Sequence, residues 1–214
     1  MKAQINDQFK CPSGFCGTLV GFGMANLYKG RLDWTLETLD VRVDDHILEI
    51  GFGPGTAIEQ VSASAANGFV AGVDPSRVMY RQAKRRNRKA IREGRVELQR
   101  KSVADLPYGN NCFDKVFAIN SYHHWPQPQE TNLKEILRVL KPGGQVYITE
   151  QPHWVANEIE AVKIAERYKG ELLRCGFNEV EFETRQIEPG LCFIITGLKH
   201  SNTNQSSSPL IPDS

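Results

Sequence analysis

Three glycines at alternate positions constrain this chain more than any other feature. Gly51, Gly53 and Gly55 stand between an apolar run (Ile47, Leu48, Ile50) and a helix-like pattern that continues to Val61. A strand, a glycine turn and a helix in that order bring bare backbone up to a nucleotide-like ligand at the edge of an α/β sheet. The dinucleotide pattern G-x-G-x-x-G needs its third glycine at position 56, which is Thr56. The glycine sits at 55 instead, which gives Glu49-x-Gly-x-Gly-x-Gly55.

The elements around this loop define the fold expected. Strands are predicted at about 45–50, 69–73, 95–101, 113–119 and 145–150. Helices fall at about 55–66, 76–94, 129–140 and 154–175. Lys141-Pro-Gly-Gly144 is a strong break, and Ser76 is a capping serine. Two further strands, 177–187 and 191–199, join through Glu188-Pro-Gly190 and should form an antiparallel hairpin. Alternating strands and helices predict an α/β, Rossmann-like, doubly wound seven-stranded sheet. It should be mostly parallel, with one antiparallel C-terminal edge strand. Before it, residues 1–40 read as an N-terminal helical segment, with two helices between Gly17 and Leu39 broken near Gly30. Residues 41–200 form the ligand-binding domain, and 201–214, rich in Ser, Asn and Pro, read as a disordered tail.

Composition narrows the partners. The 214 residues carry a formal net charge of +1, so no global field draws the chain to nucleic acid or an anionic membrane. No apolar run is long enough to span a bilayer, and the N-terminus lacks the order of a signal peptide. Five scattered cysteines read as free thiols in a reducing cytoplasm. Cys11 and Cys16 lack the second pair that a zinc site requires, so no metal is expected.

Ligands of such sheets lie beyond the carboxyl ends of the strands. That rule gathers the Gly51–Gly55 loop, Asp74, Ser102 to Asp105, Asn120 to Trp125 and Glu150 into one cleft. Asp74, at the end of the second strand, is placed to accept hydrogen bonds from both hydroxyls of a ribose, or else to cap the next helix. Met79, five residues on, can lie against a flat ring or simply fill the core.

These segments together resemble a class I S-adenosylmethionine-dependent methyltransferase, of the small-molecule type found in ubiquinone and menaquinone pathways. The likeness rests on Ile47–Gly55, on Gly72-Val-Asp-Pro-Ser-Arg-Val-Met79, on Leu106-Pro-Tyr with Cys112–Phe117, and on Leu137-Arg-Val-Leu-Lys-Pro-Gly-Gly144. It covers about residues 40–150. The resemblance implies S-adenosyl-L-methionine as cofactor and a small organic acceptor as partner. It implies that side chains at 51, 53 and 55 would block the cofactor's path. It puts Glu49 near the methionine end, Asp74 and Pro75 at the ribose, Met79 against the adenine and Asn120 beneath the methionine portion. Family members usually carry Gly-Asp-Ala-x-x-Leu-Pro where this chain has Lys101-Ser-Val-Ala-Asp-Leu-Pro107. Ser102 therefore replaces the acid that bonds the adenine amino group, and the Val103 amide is left to meet the ring.

In related enzymes the loop after the fourth strand borders the transferred methyl group, so His123 and His124 are candidate bases, or else structural packing. Tyr122 and Trp125 are candidates to wall the acceptor pocket. The loop has no Asn-Pro-Pro-Tyr, which argues against a DNA or protein-glutamine methyltransferase. The helix at 77–95 is densely basic (Arg77, Arg81, Lys84, Arg85, Arg86, Arg88, Lys89, Arg92, Arg95). It reads as a solvated face or, alternatively, as the contact of an RNA or protein methyltransferase. Aromatic residues interleaved with the charge are nearly absent, which argues against nucleic acid. Phe15, Phe22, Met24 and Tyr28 are candidates to line the acceptor pocket or to cover the sheet's edge.

Overall fold

The computed structural model describes residues 29–201. The first N-terminal helix, Phe15, Phe22, Met24, Tyr28, Cys11, Cys16 and the tail beyond Ser201 lie outside the described residues. Within them the chain forms a seven-stranded sheet of order β3-β2-β1-β4-β5-β7-β6. The strands are β1 His46–Ile50, β2 Phe69–Val73, β3 Val96–Gln99, β4 Phe113–Ile119, β5 Leu140–Glu150, β6 Phe177–Ile187 and β7 Gly190–Lys199. Strands β1 to β5 pair in parallel, and β7 runs antiparallel to both β5 and β6. This is the fold class expected. The closing hairpin forms the antiparallel edge by inserting β7 between β5 and β6.

Helices cover both faces. They are α1 Lys29–Leu39, α2 Thr56–Ser64, α3 Arg77–Arg86, α4 Arg88–Arg92, α5 Gln129–Val139 and α6 Glu158–Arg174. Parallel strands buried on both sides should be apolar throughout. In β1, neighbours divide between the two cores. Ile47 packs with Leu32 and Leu39 of α1 and with Ile58 and Val61 of α2. Leu48 packs with Leu133 and Ile136 of α5 and with Tyr168 and Leu172 of α6.

Three boundaries differ from the sequence reading. Strand β5 begins at Leu140 rather than near 145, so that Lys141–Gly144 lie inside it; Gly30, near which two helices were expected to break, falls in the first turn of α1, and the residues before Lys29 lie outside the described ones. The basic helix predicted as continuous over 76–94 divides at Asn87. This buried side chain donates to the carbonyls of Ala83 and Gly55, both at 3.0 Å, which ties the break to the glycine loop. The last helix begins four residues late, at Glu158, because Asn157 caps it by accepting from the Glu160 amide at 3.1 Å. No helix among the described residues is long and apolar enough to cross a membrane.

Candidate functional site

The winding of the sheet reverses between β1 and β4, so a crevice opens beyond their carboxyl ends. The glycine loop forms one wall. Gly51 has φ +77, and a β-carbon there would meet Ser121 Cβ at 2.6 Å, so the two rims of the crevice touch at this point. Gly55 also has φ +77, but its absent β-carbon makes room for Ala83 and Asn87 rather than for a ligand. A β-carbon on Gly53 would enter open space, so of the three glycines only Gly53 fits the expectation that a side chain would block the ligand's path alone.

Two cavities that share Gly51, Gly53 and Ile119 in their walls lie along the loop. One is lined by Glu49, Gly51, Gly53, Thr56 and Ala57, with Arg31 and Leu32 of α1 over them. Glu49 is buried and its Oε2 has no hydrogen-bond partner among the described residues; nor has Thr56 Oγ1. Burial raises the Glu49 pKa well above the usual carboxylate range, the charge of Asp74 adds to this, and the Ile58 amide opposes it. Helix α2 starts here without a side-chain cap; its Ile58 amide goes to Glu49, and those of Thr56 and Ala57 are placed to meet an anion.

The second cavity is lined by Asp74, Pro75, Met79, Ser102, Asn120, Ser121, His124 and Trp125. Asp74 accepts from the Gly53 amide at 2.9 Å and from the Ser76 amide at 2.8 Å. Burial pushes its pKa up to about 6 against those two hydrogen bonds. Ser102 accepts from the Ala104 amide at 3.3 Å, so its hydroxyl shapes its own turn as well as the wall. Asn120 holds a φ of 49 and accepts from the Gln151 amide at 2.7 Å.

The Val103 side chain is in the core, beside Leu106 and Phe113, which is compatible with the expected contact through its amide. Other expected residues sit elsewhere. Asp105 is exposed and pairs with Lys101 at 3.1 Å, outside the cavity wall. Tyr122 does not wall the cavity. It is buried against Tyr168 and Trp125, and its hydroxyl donates to Glu171 at 2.6 Å. His123 and His124 are separated in role although their rings lie 3.7 Å apart. His124 lines the second cavity, whereas His123 Nδ1 lies 2.8 Å from Oε2 of the fully buried Glu150. The pairing of Glu150 with His123, and the places of Arg31, Thr56 and Gln151, carried no sequence signal that named them.

On α3 and α4, Arg77, Arg81, Lys84, Arg85, Arg88 and Arg92 are exposed. None of these six enters an ion pair among the described residues, whereas Arg86 pairs with Glu59, and Lys89 and Arg95 pair with Glu93.

Comparison with known proteins agrees with this architecture. A methyltransferase-domain family model matches residues 47–144. The chain is 31% identical over 182 residues to the uncharacterized methyltransferase YdaC of Bacillus subtilis, covering 85% of this chain and 98% of that protein. It is 30% identical over 156 residues to the 27-O-demethylrifamycin SV methyltransferase of Amycolatopsis mediterranei, covering 71% of this chain and 57% of that enzyme. Among solved structures, a SAM-dependent methyltransferase from Aquifex aeolicus superposes with a TM-score of 0.70 at 18% identity, over 85% of this chain and 98% of that one. These matches reach the methyltransferase class as a whole rather than the quinone-pathway type. On the strength of its matched domain and its full-length relative, the chain belongs to the class I S-adenosyl-L-methionine-dependent methyltransferases.

Proposed function

We propose that this enzyme methylates a small organic molecule, with the cofactor in the two cavities along the glycine loop. S-adenosylmethionine supplies a methyl group on a positively charged sulfur, open to attack by a nucleophile. The chain's own groups fit it. Glu49 Oε2 is a buried acceptor that an ammonium would satisfy, and an unmatched buried carboxylate is costly. The Thr56 hydroxyl and the first amides of α2 suit a carboxylate. Asp74 suits the ribose hydroxyls, with Pro75 beside it, and Met79 with Ser102 the adenine. The Val103 backbone and Asn120 complete the wall in this reading. What remains for the protein is to align the acceptor with the methyl group and keep water out.

The observation that carries the small acceptor is a second space next to this cleft. A groove of ≈ 520 Å³ runs from Gln151 and His153 to Gly190 and Leu191, the size of a pocket for a single organic molecule. Gln151, in its wall, donates its amide to Asn120 Oδ1 in the wall of the cofactor cleft at 2.7 Å. The rifamycin relative is named for an oxygen acceptor, which supports the same reading. A cytoplasmic setting is supported by three free thiols, Cys112, Cys175 and Cys192. Incubation with radiolabelled S-adenosylmethionine, a panel of small phenols, amines and thiols, and bulk RNA and protein tests the proposal. Label in the low-molecular-weight fraction is expected; label confined to RNA or protein contradicts it.

A second reading, methylation of RNA or protein, rests on one observation, the six exposed cations of α3 and α4 that enter no ion pair among the described residues. Its signature is polyanion binding that weakens steeply with salt and that reversing Arg81 and Arg85 flattens.

A further inference from the structure

We propose that Gln151 is a positioning residue for methyl transfer: it ties the hairpin turn that walls the acceptor groove to the cofactor cleft, so that cofactor in the cleft stiffens the groove. The inference rests on the small-molecule reading above and deepens it.

Gln151 directly follows β5 and is 4% exposed. Its side chain is bonded at both ends. Nε2 donates to the carbonyl of Ile187 and, at 2.9 Å, to that of Gly190. Oε1 accepts from Arg31 Nη1 at 3.2 Å. A side-chain amide has two donor hydrogens, so both go to the β6–β7 turn. The amide cannot be turned over, since Nε2 would then face the guanidinium and Oε1 the two carbonyls. The backbone amide makes a further bond, to Asn120 Oδ1 at 2.7 Å. One buried residue thus joins α1, the end of β4 and the β6–β7 turn to the end of β5. With its donors committed inside the protein, Gln151 has none to offer the acceptor, so its part is to place the groove.

The bonded partners belong to the walls of different spaces. Arg31 lies in the wall of the first cofactor cavity, with Glu49. Asn120 lies in the wall of the second. Gln151, Pro189, Gly190 and Leu191 lie in the wall of the groove. No residue from Ile187 to Leu191 lines either cofactor cavity. A cofactor that spans both cavities meets Arg31 and Asn120, and what restrains these two restrains the turn through Gln151.

The surroundings leave this link little slack. Asn120 holds a φ of 49, and its amide donates to the Thr149 carbonyl at 2.8 Å, so β5 holds both its backbone and its side chain. Helix α1 also approaches the turn directly. A β-carbon on Gly30 would lie 2.9 Å from Ile187 Cγ2, and Ile187 packs against Trp34, Cys192 and Ile194. Coupling of this kind is reciprocal: a cofactor that orders the groove is itself held more tightly once the groove is filled.

Hydrogen exchange reads the link without the acceptor. Calorimetric titration with S-adenosylhomocysteine first shows that wild type, Gln151→Met and Gln151→Glu each bind it. In wild type, saturating S-adenosylhomocysteine is expected to slow amide exchange across residues 186–192 by about fivefold or more. Gln151→Met removes the side-chain bonds, whereas Gln151→Glu keeps an acceptor for Arg31 and loses both donors to the turn. In both variants exchange at the turn should respond to the cofactor by less than about twofold. A glutamine with a merely structural role would let the turn exchange faster when substituted but leave its response to cofactor intact. With an acceptor found in the panel, both variants should raise the acceptor KM by about tenfold and change kcat less. A turn that does not respond in wild type, or a response that survives both substitutions, overturns the proposal. Coupling without methylation of any small molecule overturns the reading of the groove and leaves the link standing. Absence of S-adenosylhomocysteine binding in wild type overturns the cofactor site itself.

Discussion

Gly51 and Ser121 meet across the crevice. A β-carbon on Gly51 would lie 2.6 Å from Ser121 Cβ, and the Ser121 hydroxyl donates to the carbonyl of Ile50 at 2.7 Å. The end of β1 is thus locked to the start of the loop after β4, and the two walls of the cofactor site are held in one register.

The three loop glycines should respond differently to alanine. Gly51→Ala and Gly55→Ala each place a β-carbon against neighbouring atoms at a positive φ, and each should lower stability by about 1–3 kcal/mol. Gly53→Ala meets nothing in the protein, so its cost is the left-handed backbone alone, about 1–2 kcal/mol. Its β-carbon projects into the cleft, and S-adenosylhomocysteine affinity should fall at least tenfold. Urea denaturation and calorimetric titration of the three variants separate the two effects.

Asp74 and Glu49 make both stability and binding depend on pH. Burial raises the pKa of each, that of Asp74 to about 6. The folded empty protein therefore holds these protons more tightly than the unfolded chain does. The Asp74 contribution to stability is present at pH 4 and is lost as the pH rises through 6, a change of about 3 kcal/mol. Across pH 4.5–8, the stability of Asp74→Asn relative to wild type should improve as pH rises. Cofactor binding should run the other way, since hydroxyls and an ammonium favour the ionised carboxylates: affinity should weaken below pH 6. A stability difference that is flat with pH contradicts the account.

Asn87 joins the break between α3 and α4 to the glycine loop through the Gly55 carbonyl. Asn87→Ala removes both of its donated bonds from a buried position and should cost about 1–3 kcal/mol. Because Gly55 precedes α2, cofactor affinity should fall as well, whereas Arg88→Ala on the exposed face beside it should change neither. Thermal melts with and without S-adenosylhomocysteine measure this.

At the opposite end of the sheet, Lys115 Nζ lies 2.8 Å from Asp45 Oδ2, with both side chains nearly buried. Lys115→Met should destabilise by about 3–5 kcal/mol by removing the charged partner of a buried carboxylate and leaving it the Arg42 amide, and Asp45→Leu added to it should recover much of that loss. Neither change should alter the affinity of the folded protein for cofactor, which a titration of each variant below its melting range checks.

The fold was legible because its signals are local and repeated. The apolar run into Gly51, the break at Lys141–Gly144 and the hairpin at Glu188–Gly190 each mark a boundary within a few residues. Asn87 was not legible as a helix break, because its effect comes from a contact with Gly55 thirty-two residues away. Asp74 and Asn120 directly follow strand ends and Ser102 lies three residues beyond one, and strand ends are where such sheets collect ligands; Met79 reaches the same cavity from α3. Tyr122 was placed in the acceptor wall because its neighbours line it, yet burial against Tyr168 takes it into the core. The pairing of His123 with Glu150 depends on β4 and β5 ending side by side, a relationship between separate strands that adjacent letters do not carry.

The most direct test of the account is calorimetric titration of the wild-type protein with S-adenosylhomocysteine, repeated with Asp74→Ala and Gly53→Ala. One-to-one binding that both variants weaken at least tenfold while remaining folded is the predicted result. No binding at millimolar concentration, or binding that neither variant disturbs, contradicts the site described between the glycine loop and the end of β4.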